Sequence, residues 1–464
     1  MYPIVALSLT GLITLFLGFN RSRQGLLPAT IFFLLVAAGL NFLDWNAPGT
    51  YFSNMVEVSN QGILFSTIVI LAAAFIVAIS GDFASDSTAQ PAEYYALMQF
   101  ALVGAVMMIL FKNLIMLFLG IEILSISVYV LTGSDKQNIR GNEAALKYFL
   151  MGAFATGILL FGMAMYYGGV GTFDVVNATS MVQNVSGDLS VYLSIGIVFM
   201  LMGLFFKVSA APFHFWTPDV YEGAPTLFTA FMSTIVKTAG FAAIFKIMYV
   251  SFLGAYSFWI ILVVGMTILT LVIGNIIAVY QASFKRMLAY SSISHAGYLM
   301  LALVGLREAS GESILFYSAA YTLATITAFT ILYVVSRQKL VNGRPDEQIS
   351  VLNGLKTRNP FMAFALAVSM LSLAGIPLTG GFWGKFLVFS DAASKGYWWI
   401  LVVAIILSAV GMYYYFKPIR AAFLKNAEDE SPLVIRPAIQ WVLILTTTGT
   451  LLLGIFPDVI RQLF

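Results

Sequence analysis

The chain has 464 residues, of which 60% are hydrophobic and 10% charged, and its mean hydropathy is +0.91. Soluble domains carry about 25% charged residues, so this composition excludes a soluble globular protein and indicates a chain embedded in a lipid bilayer. There are no cysteines, which excludes iron–sulfur ligation by thiolates and covalent haem attachment. The net charge of +3 gives no indication of a nucleic-acid partner.

The apolar runs predict an all-α membrane protein, a single polytopic domain over residues 1–464. A helix that crosses the hydrocarbon core needs about 20 mostly apolar residues. The first run follows no Lys or Arg, so we predict a retained helix rather than a signal peptide. In chain order, about fourteen transmembrane helices are predicted, at residues 3–20, 26–43, 62–80, 94–111, 113–131, 144–167, 190–216, 226–250, 257–283, 288–306, 312–336, 360–390, 397–416 and 438–456.

Basic residues in the connections predict the orientation, because Lys and Arg accumulate on the cytoplasmic side. An even number of helices places both termini on one side. The odd-numbered connections carry fifteen basic residues and the opposite side carries five. We therefore expect the odd connections to be cytoplasmic and both termini to lie outside.

Two of the runs are interrupted by proline. The seventh contains Ser209 to His214 (SAAPFH) and the twelfth contains Ala374 to Gly381 (AGIPLTGG). Broken helices at membrane depth are tolerated where the loose backbone is buried in protein or lines a watery cavity. The breaks are five helices apart, and a tandem five-helix unit must invert. We therefore predict two inverted five-helix repeats, residues 94–250 and 256–416.

Four ionisable residues lie within long apolar runs, each in a different run: Glu122, Lys207, Lys237 and Lys385. A charge at the bilayer centre costs roughly 2.5–3.5 kcal/mol on insertion scales, so such residues point to proton or ion movement. The structural alternatives are a neutral, hydrogen-bonded acid for Glu122 and an ion pair or snorkelling for the lysines. Glu122 is taken as the only acid in the middle of the membrane, with Lys207 as its counterpart.

The remaining ionisable residues of the runs allow two interpretations each. Lys147 is near the cytoplasmic end of the sixth run, where snorkelling is the simpler interpretation. His295 follows three serines, and either a proton relay or a histidine satisfied by hydroxyl groups fits. His214, in the seventh break, is equally open, and the two histidines together are only a weak haem signal. Three residues at run ends are interpreted as interfacial anchors: Lys246, Lys285 and Arg286.

Three segments carry a resemblance to a known family: Phe205 to Pro225 (FFKVSAAPFHFWTPDVYEGAP), Phe284 to Tyr298 (FKRMLAYSSISHAGY) and Pro377 to Phe386 (PLTGGFWGKF). The chain resembles the antiporter-like subunits of respiratory complex I, the proton-pumping NADH:quinone oxidoreductase. It is most similar to the N subunit, the equivalent of mitochondrial subunit 2. Lys385 disfavours the M subunit, and the end after the fourteenth helix disfavours the L subunit.

The resemblance implies a proton-translocating subunit whose redox chemistry takes place elsewhere in the complex. It assigns proton-translocation roles to six residues: Glu122, Lys147, Lys207, Lys237, His295 and Lys385. No cofactor is expected in this chain; NADH, FMN, iron–sulfur clusters and quinone would be bound by other subunits. The expected partners are other membrane subunits of complex I, including related antiporter-like subunits. The expected location is the bacterial cytoplasmic membrane, with both termini periplasmic.

Other functions remain open on the sequence. A subunit of a multisubunit cation/proton antiporter would share this fold, although the N-like motifs favour complex I. A membrane subunit of a hydrogenase-type complex would need a metal-bearing soluble partner. A stand-alone transporter is the least favoured of these alternatives.

Overall fold

The computed structural model describes residues 1–19, 25–81, 90–183, 189–341, 344–427 and 431–461. Arg21 and Arg23, which contribute to the predicted orientation, lie outside these ranges. Within them, all fourteen predicted helices are present. They are α1 Tyr2–Leu17, α2 Leu26–Asn41, α3 Asn60–Ile79, α4 Pro91–Leu110, α5 Leu114–Thr132, α6 Ile139–Val170, α7 Val191–Lys207, α8 Thr226–Val250, α9 Tyr256–Val279, α10 Phe284–Val304, α11 Ser310–Ser336, α12 in two halves, Pro360–Ala374 and Gly380–Ser394, α13 Trp398–Leu424 and α14 Pro437–Ile455.

Short elements occupy the connections. Two antiparallel hairpins are formed by β1 Gly49–Tyr51 with β2 Val56–Val58 and by β3 Leu340–Val341 with β4 Arg344–Pro345. Short α-helices and 3-10 turns complete the described elements: Phe42–Asp44, Val175–Gln183, Trp216–Gly223, Leu253–Ala255, Ile349–Leu352, Leu355–Arg358 and Asp458–Arg461.

Eleven helices are long and apolar enough to cross a membrane, and α1, α7 and the first half of α12 are shorter apolar helices. Local chemistry fixes where many of them begin. Proline opens α4, the first half of α12 and α14, where its missing N–H removes no intrahelical bond. Side chains cap the first turns of α3, α5, α7 and α10 through Ser59, Asn113, Ser190 and Ser283.

Three helices form the centre of the bundle. Within their apolar windows, 100% of the residues of α8, 94% of α10 and 89% of α11 are buried, against 33% for α6 and 39% for α9 and α13. The peripheral helices thus present broad apolar faces outward, whereas the three central helices are surrounded by protein. A polar group on α8, α10 or α11 is therefore screened from lipid by the other helices.

Both predicted breaks are confirmed. Helix α7 ends at Lys207, and the chain passes through residues 208–215 into the short helix Trp216–Gly223. In α12 the first half ends at Ala374 and is followed by Gly375, whose φ of +84° is readily adopted by glycine, and the second half begins at Gly380. Each break leaves helix-end backbone groups without intrahelical partners inside the bundle.

The structure differs from the predicted elements in three places. Helix α6 is 32 residues long, and α13 continues to Leu424, beyond the predicted end at residue 416. Both extensions carry polar residues at their ends, which a hydropathy criterion leaves out. Helix α8 contains a π-helical turn at Met232–Val236, directly before Lys237. Such turns occur mostly as single insertions in α-helices and are frequent at functional sites.

Helices α4 and α5 cross at a glycine contact. A Cβ atom added to Gly104 would lie 2.5 Å from the backbone oxygen of Gly120 and 2.5 Å from the backbone nitrogen of Leu124. Small residues allow membrane helices to approach this closely. The contact therefore fixes α5, and with it Glu122, against the bundle.

Gly104→Leu is expected to destabilise the fold by about 3 kcal/mol or more, because the clash is with backbone that cannot move aside. The detergent-solubilised protein should show a lower melting temperature or a reduced folded yield. Gly157→Leu is the matched control, since an added Cβ there meets nothing within 4 Å. Equal melting temperatures for the two variants would contradict the importance of the crossing.

Candidate functional site

The first buried lysine lies where α7 ends. Lys207 is 4% exposed and its Nζ donates a hydrogen bond of 2.6 Å to Ser125 Oγ on α5. Its ammonium also lies 6.0 Å from the centre of the Tyr148 ring on α6. Ser125 in turn donates to the backbone oxygen of Ile121. Lys207 is therefore held by a hydroxyl group and an aromatic ring, with no carboxylate within ion-pair distance among the described residues.

Glu122 is one helical turn from Ser125 and is half-buried. Its Oε1 is buried and has no hydrogen-bond partner within the part of the chain that the structure describes. Lys207 is close enough to interact with it electrostatically. The predicted partners are thus neighbours that do not form an ion pair in this structure. The lysine is bonded to Ser125, and the carboxylate has an acceptor position open.

The second buried lysine lies at the centre of the bundle. Lys237 follows the π-turn of α8, is 3% exposed, and donates to both the backbone oxygen and the Oγ of Ser292 on α10. Tyr321 on α11 donates to the same Oγ at 3.0 Å, and its ring centre is 5.7 Å from the lysine nitrogen. The three central helices therefore meet at this lysine.

His295 lies one turn further along α10 and is 3% exposed. Its Nδ1 is 2.7 Å from the hydroxyl of Tyr317 on α11, and its Nε2 is 3.0 Å from the hydroxyl of Tyr415 on α13. Tyr415 also bonds to Ser291 at 2.5 Å, and the imidazole centre is 4.9 Å from the ring centre of Tyr321. Both ring nitrogens are engaged by hydroxyl groups, which can donate or accept.

The third buried lysine lies in the second half of α12 and bonds across the break to the end of the first half. Lys385 is 6% exposed, and its Nζ donates to the backbone oxygen of Ala374 at 2.8 Å and to Ser408 Oγ at 3.0 Å. The ammonium thereby satisfies a carbonyl group that the end of the first half-helix leaves free. It also lies 4.6 Å from the ring centre of Tyr298 on α10.

A polar cluster connects the neighbourhoods of His295 and Lys385. Asn275 on α9 accepts from Tyr414 at 3.2 Å through Oδ1, and its amide lies 3.5 Å from the Tyr298 hydroxyl. The Tyr414 hydroxyl is also 3.4 Å from Ser294 Oγ. His295 interacts electrostatically with both Lys237 and Lys385. Lys237, His295 and Lys385 therefore form one buried series, interleaved with tyrosine, serine and asparagine side chains.

Lys147 belongs to a different environment. Its side chain is 43% exposed and pairs with Glu143 at 2.8 Å and with Asp219 at 3.0 Å. Asp219, in the short helix after the α7 break, also pairs with Arg286, which in turn reaches Glu222 at 2.6 Å. Although partial burial alone would raise the pKa of Asp219, hydrogen bonds and charge from Lys147 and Arg286 lower it. The cluster is an ionic network at one end of the bundle.

Lys246 and Arg286 lie at helix ends as predicted, but the interpretation of Lys285 as an interfacial anchor is wrong. Its side chain is 2% exposed, and Nζ donates to the backbone oxygen of Ala224 at 2.6 Å and pairs with Glu347 at 2.8 Å. It is held inside the protein because the chain after the α7 break folds over it. Lys246 pairs with Glu57 of β2 at 3.1 Å.

A second buried acid lies outside the middle of the membrane, so the prediction of Glu122 as the only acid at that depth is not contradicted by it. Asp391, in the second half of α12, is 0% exposed. The sequence did not single it out because it follows the predicted end of the twelfth run at residue 390, where an acid is normally solvated, whereas the helix continues to Ser394. His214 is buried in the α7 break, and its Nδ1 has no partner among the described residues.

The buried groups of this arrangement are of types that exchange protons. Lysine, histidine, tyrosine and serine side chains can each accept and donate a proton or hydrogen bond. Together they form a buried polar axis that joins groups from α8 through α13. Of the six predicted residues, four are therefore buried, Glu122 is half-buried, and the side chain of Lys147 is largely exposed.

Comparison with known proteins identifies the family. Residues 112–411 match the transmembrane family described as NADH:quinone oxidoreductase/Mrp antiporter. NADH-quinone oxidoreductase subunit N of Flavobacterium johnsoniae is 39% identical over the whole of both chains. The chain belongs to the subunit N family of NADH:quinone oxidoreductases. The membership predicted from the sequence motifs is thereby confirmed.

Comparison with solved structures supports the same family assignment. A chain of respiratory complex I from Thermus thermophilus with bound aureothin superimposes with a TM-score of 0.85 at 32% identity, covering 99% of each chain. A chain of the Mrp complex from Dietzia sp. DQ12-45-1b gives a TM-score of 0.85 at 20% identity, covering all of this chain and 95% of its own, which shows a common fold alone. The protein is thus a multi-pass membrane subunit of a proton-translocating NADH:quinone oxidoreductase.

Proposed function

We propose that this subunit moves protons through the buried series Lys237, His295 and Lys385, under the control of Glu122 and Lys207. The observation that carries the proposal is the continuity of polar side chains from the centre of the bundle to the α12 break. Protons would reach Lys237 through the region of α7 and α8, pass His295 and its tyrosine partners, and leave past Lys385. Water would fill the gaps between the titratable groups.

Electrostatic interactions would couple redox chemistry in other subunits to proton binding in this one. Lys207 can bond to Ser125, as it does in this structure, or pair with the open Oε1 of Glu122. Moving the ammonium toward the carboxylate would withdraw positive charge from the interior and favour proton binding at Lys237, since charges interact strongly at low dielectric. Redox chemistry in other subunits would drive this exchange. This chain would need no cofactor of its own.

We propose the membrane orientation given by the charge bias. The end of the bundle with the ionic network of Lys147, Asp219 and Arg286 would face the bacterial cytoplasm, and both termini would face the periplasm. We further propose that residues 94–250 and 256–416 are inverted repeats. The α7 and α12 breaks, five helices apart, each carry a buried lysine at the broken end. The partners would be other membrane subunits of the complex, including related antiporter-like subunits.

A native pull-down from membranes in mild detergent tests the assembly. Flavin and iron–sulfur subunits should co-purify with the chain, and the fraction should reduce quinone with NADH. Recovery with small membrane partners only, without NADH activity, would instead support a cation/proton antiporter.

Lys147→Ala tests the one predicted residue that is exposed. We expect a two- to threefold loss of NADH:quinone reductase activity in assembled complex, because Arg286 still pairs with Asp219 when Lys147 is gone. Stability should change by less than about 1 kcal/mol, since exposed ion pairs contribute little. The rate and the melting temperature of purified complex check both points. A tenfold loss of activity would make Lys147 an obligatory member of the proton route.

A further inference from the structure

Asp391 is a buried carboxylate that the proton route described above does not use. Its Oδ1 accepts a hydrogen bond of 2.8 Å from Arg307 Nε, and Nη2 of the same guanidinium lies 2.7 Å from that oxygen in an ion pair. Its Oδ2 is buried and, among the residues that the structure describes, has no hydrogen-bond partner. Buried polar atoms are nearly always bonded, so an exception of this kind calls for an explanation.

The pair extends from the interior to the surface. The Asp391 side chain is 0% exposed, whereas the Arg307 side chain is 41% exposed in the connection between α10 and α11. The backbone of Asp391 packs tightly against that connection: a Cβ atom added to Gly305 would lie 2.0 Å from the backbone carbonyl oxygen of Asp391. Under the proposed orientation this connection lies on the periplasmic side. The carboxylate is therefore held at the outer end of the bundle. Its Oδ1 is bonded to Arg307, and its Oδ2 is free to accept a hydrogen bond or a proton.

A polar stripe on α11 leads from the proton route to this carboxylate. Ser310, Ser313, Tyr317 and Tyr321 recur at spacings of three and four residues, which places them along one face of the helix. Tyr321 contacts the Lys237 site and Tyr317 bonds to His295. Ser310 and Ser313 face Asp391. Hydroxyl groups thus line α11 from the central lysine to the buried acid.

The second half of α12 forms the other wall of this seam. Gly384 packs against Tyr317, since an added Cβ would lie 2.9 Å from its ring. Lys385 is the next residue, and Asp391 lies six residues further, about 9 Å along the helix axis at 1.5 Å per residue. The lysine and the acid therefore stand at successive depths of one half-helix, with the acid nearer to its outer end.

We propose that Asp391 is the terminal proton-binding site of this subunit, between Lys385 and the periplasmic water. The inference rests on the proposed function. An N–H bond of the Lys385 ammonium breaks, water molecules in the seam carry the proton, and an O–H bond forms at Asp391 Oδ2. That O–H bond then breaks as the proton passes to outside water, which restores the carboxylate. Arg307 is a positioning residue that keeps its own proton and fixes the orientation of the carboxylate.

The alternative is an ion pair that only holds the α10–α11 connection in place, and three substitutions separate the two roles. Asp391→Asn keeps the shape and removes the proton site. The double variant Asp391→Asn/Arg307→Gln replaces the ion pair by a neutral hydrogen-bonding pair, so a purely structural contact is retained. Asp391→Glu keeps a titratable carboxyl group. Each is made in the whole complex in inverted membrane vesicles, with complex content measured on native gels, reductase rate by NADH oxidation and pumping by a pH-sensitive dye.

Both Asn variants are expected to assemble and to lose at least fivefold in reductase rate and pumping, with substantial recovery in Asp391→Glu. Full pumping by either Asn variant overturns the proposal. Loss of assembly in both also overturns it, because the pair would then be structural. Lys385→Ala is measured in parallel. If Lys385→Ala is impaired while Asp391→Asn is not, the proton route stands and only this inference fails; if Lys385→Ala pumps fully, the proposed function itself fails.

Discussion

Replacing Lys237 by alanine is expected to leave an assembled complex that has lost at least tenfold in both NADH:quinone reductase rate and proton pumping. Lys237 joins the three central helices through its bonds to Ser292 and its position over Tyr321. Alanine removes the titratable group and leaves no charge at this depth of α8. A tenfold loss corresponds to about 1.4 kcal/mol in an activation barrier, a modest demand for a missing relay group.

Lys237→Arg separates the charge of this residue from its ability to release a proton. A guanidinium keeps the positive charge but does not deprotonate in proteins. If Lys237 hands protons on, the arginine variant should be as inactive as the alanine variant. A structural cation would instead be replaced by arginine with most of the activity kept.

Lys246→Ala is the matched control on the same helix. Lys246 pairs with Glu57 at the end of α8 and has no place in the buried series. Its variant should pump at the wild-type rate, with complex content measured on native gels in every preparation. Pumping at the wild-type rate by assembled complex that carries Lys237→Ala would contradict the central role proposed for this lysine.

The sequence could predict the helices because apolar runs of membrane length have few alternatives in a bilayer. It could also predict both breaks, since proline and glycine at membrane depth leave backbone groups to be satisfied elsewhere. Lys207, Lys237 and Lys385 were identifiable because an ionisable residue in an apolar run is expensive. All three are buried, at 4%, 3% and 6% exposure.

The partners of these residues could not be predicted, because they come from other helices. Nothing in the sequence places Ser292 against Lys237, or Tyr415 against His295; those contacts depend on which faces of α8, α10 and α13 meet. Tyrosines are ordinary core residues by composition, so their role in the polar axis carries no local signal. The π-turn before Lys237 follows from packing around α8 and likewise leaves no mark in the hydropathy pattern.

For Lys147, the role implied by the family resemblance and the environment seen in the structure differ. The match to a sixth-helix lysine assigns it to proton translocation, whereas its 43% exposure and two ion pairs describe a residue at the edge of the bundle. The two statements are compatible if the ionic network forms the cytoplasmic mouth of the proton route. Asp219 and Arg286 would then share the role that the motif attaches to the lysine alone.

Glu122→Gln and Lys207→Ala are each expected to lower reductase rate and pumping at least fivefold without preventing assembly. The double variant should be no worse than the more impaired single variant. Residues that act as one switch are not additive, because removing either partner already removes the exchange between the two pairings. Independent roles would instead multiply the two losses. The comparison requires all three variants in the same vesicle preparation, with rates normalised to complex content.

Ser125→Ala tests the state that the structure shows. Without its hydroxyl group, Lys207 loses the 2.6 Å bond that holds it away from Glu122, so the ammonium should favour the carboxylate. We expect a two- to fivefold slower reductase rate that depends on Glu122, because one of the two alternating states has been weakened. In a Glu122→Gln background the serine substitution should then have no further effect.

Glu93→Gln, at an exposed carboxyl group in the first turn of α4, controls for loss of an acid as such. A serine variant with an unchanged rate, or one equally slowed in the Gln background, would mean that Lys207 does not alternate between Ser125 and Glu122.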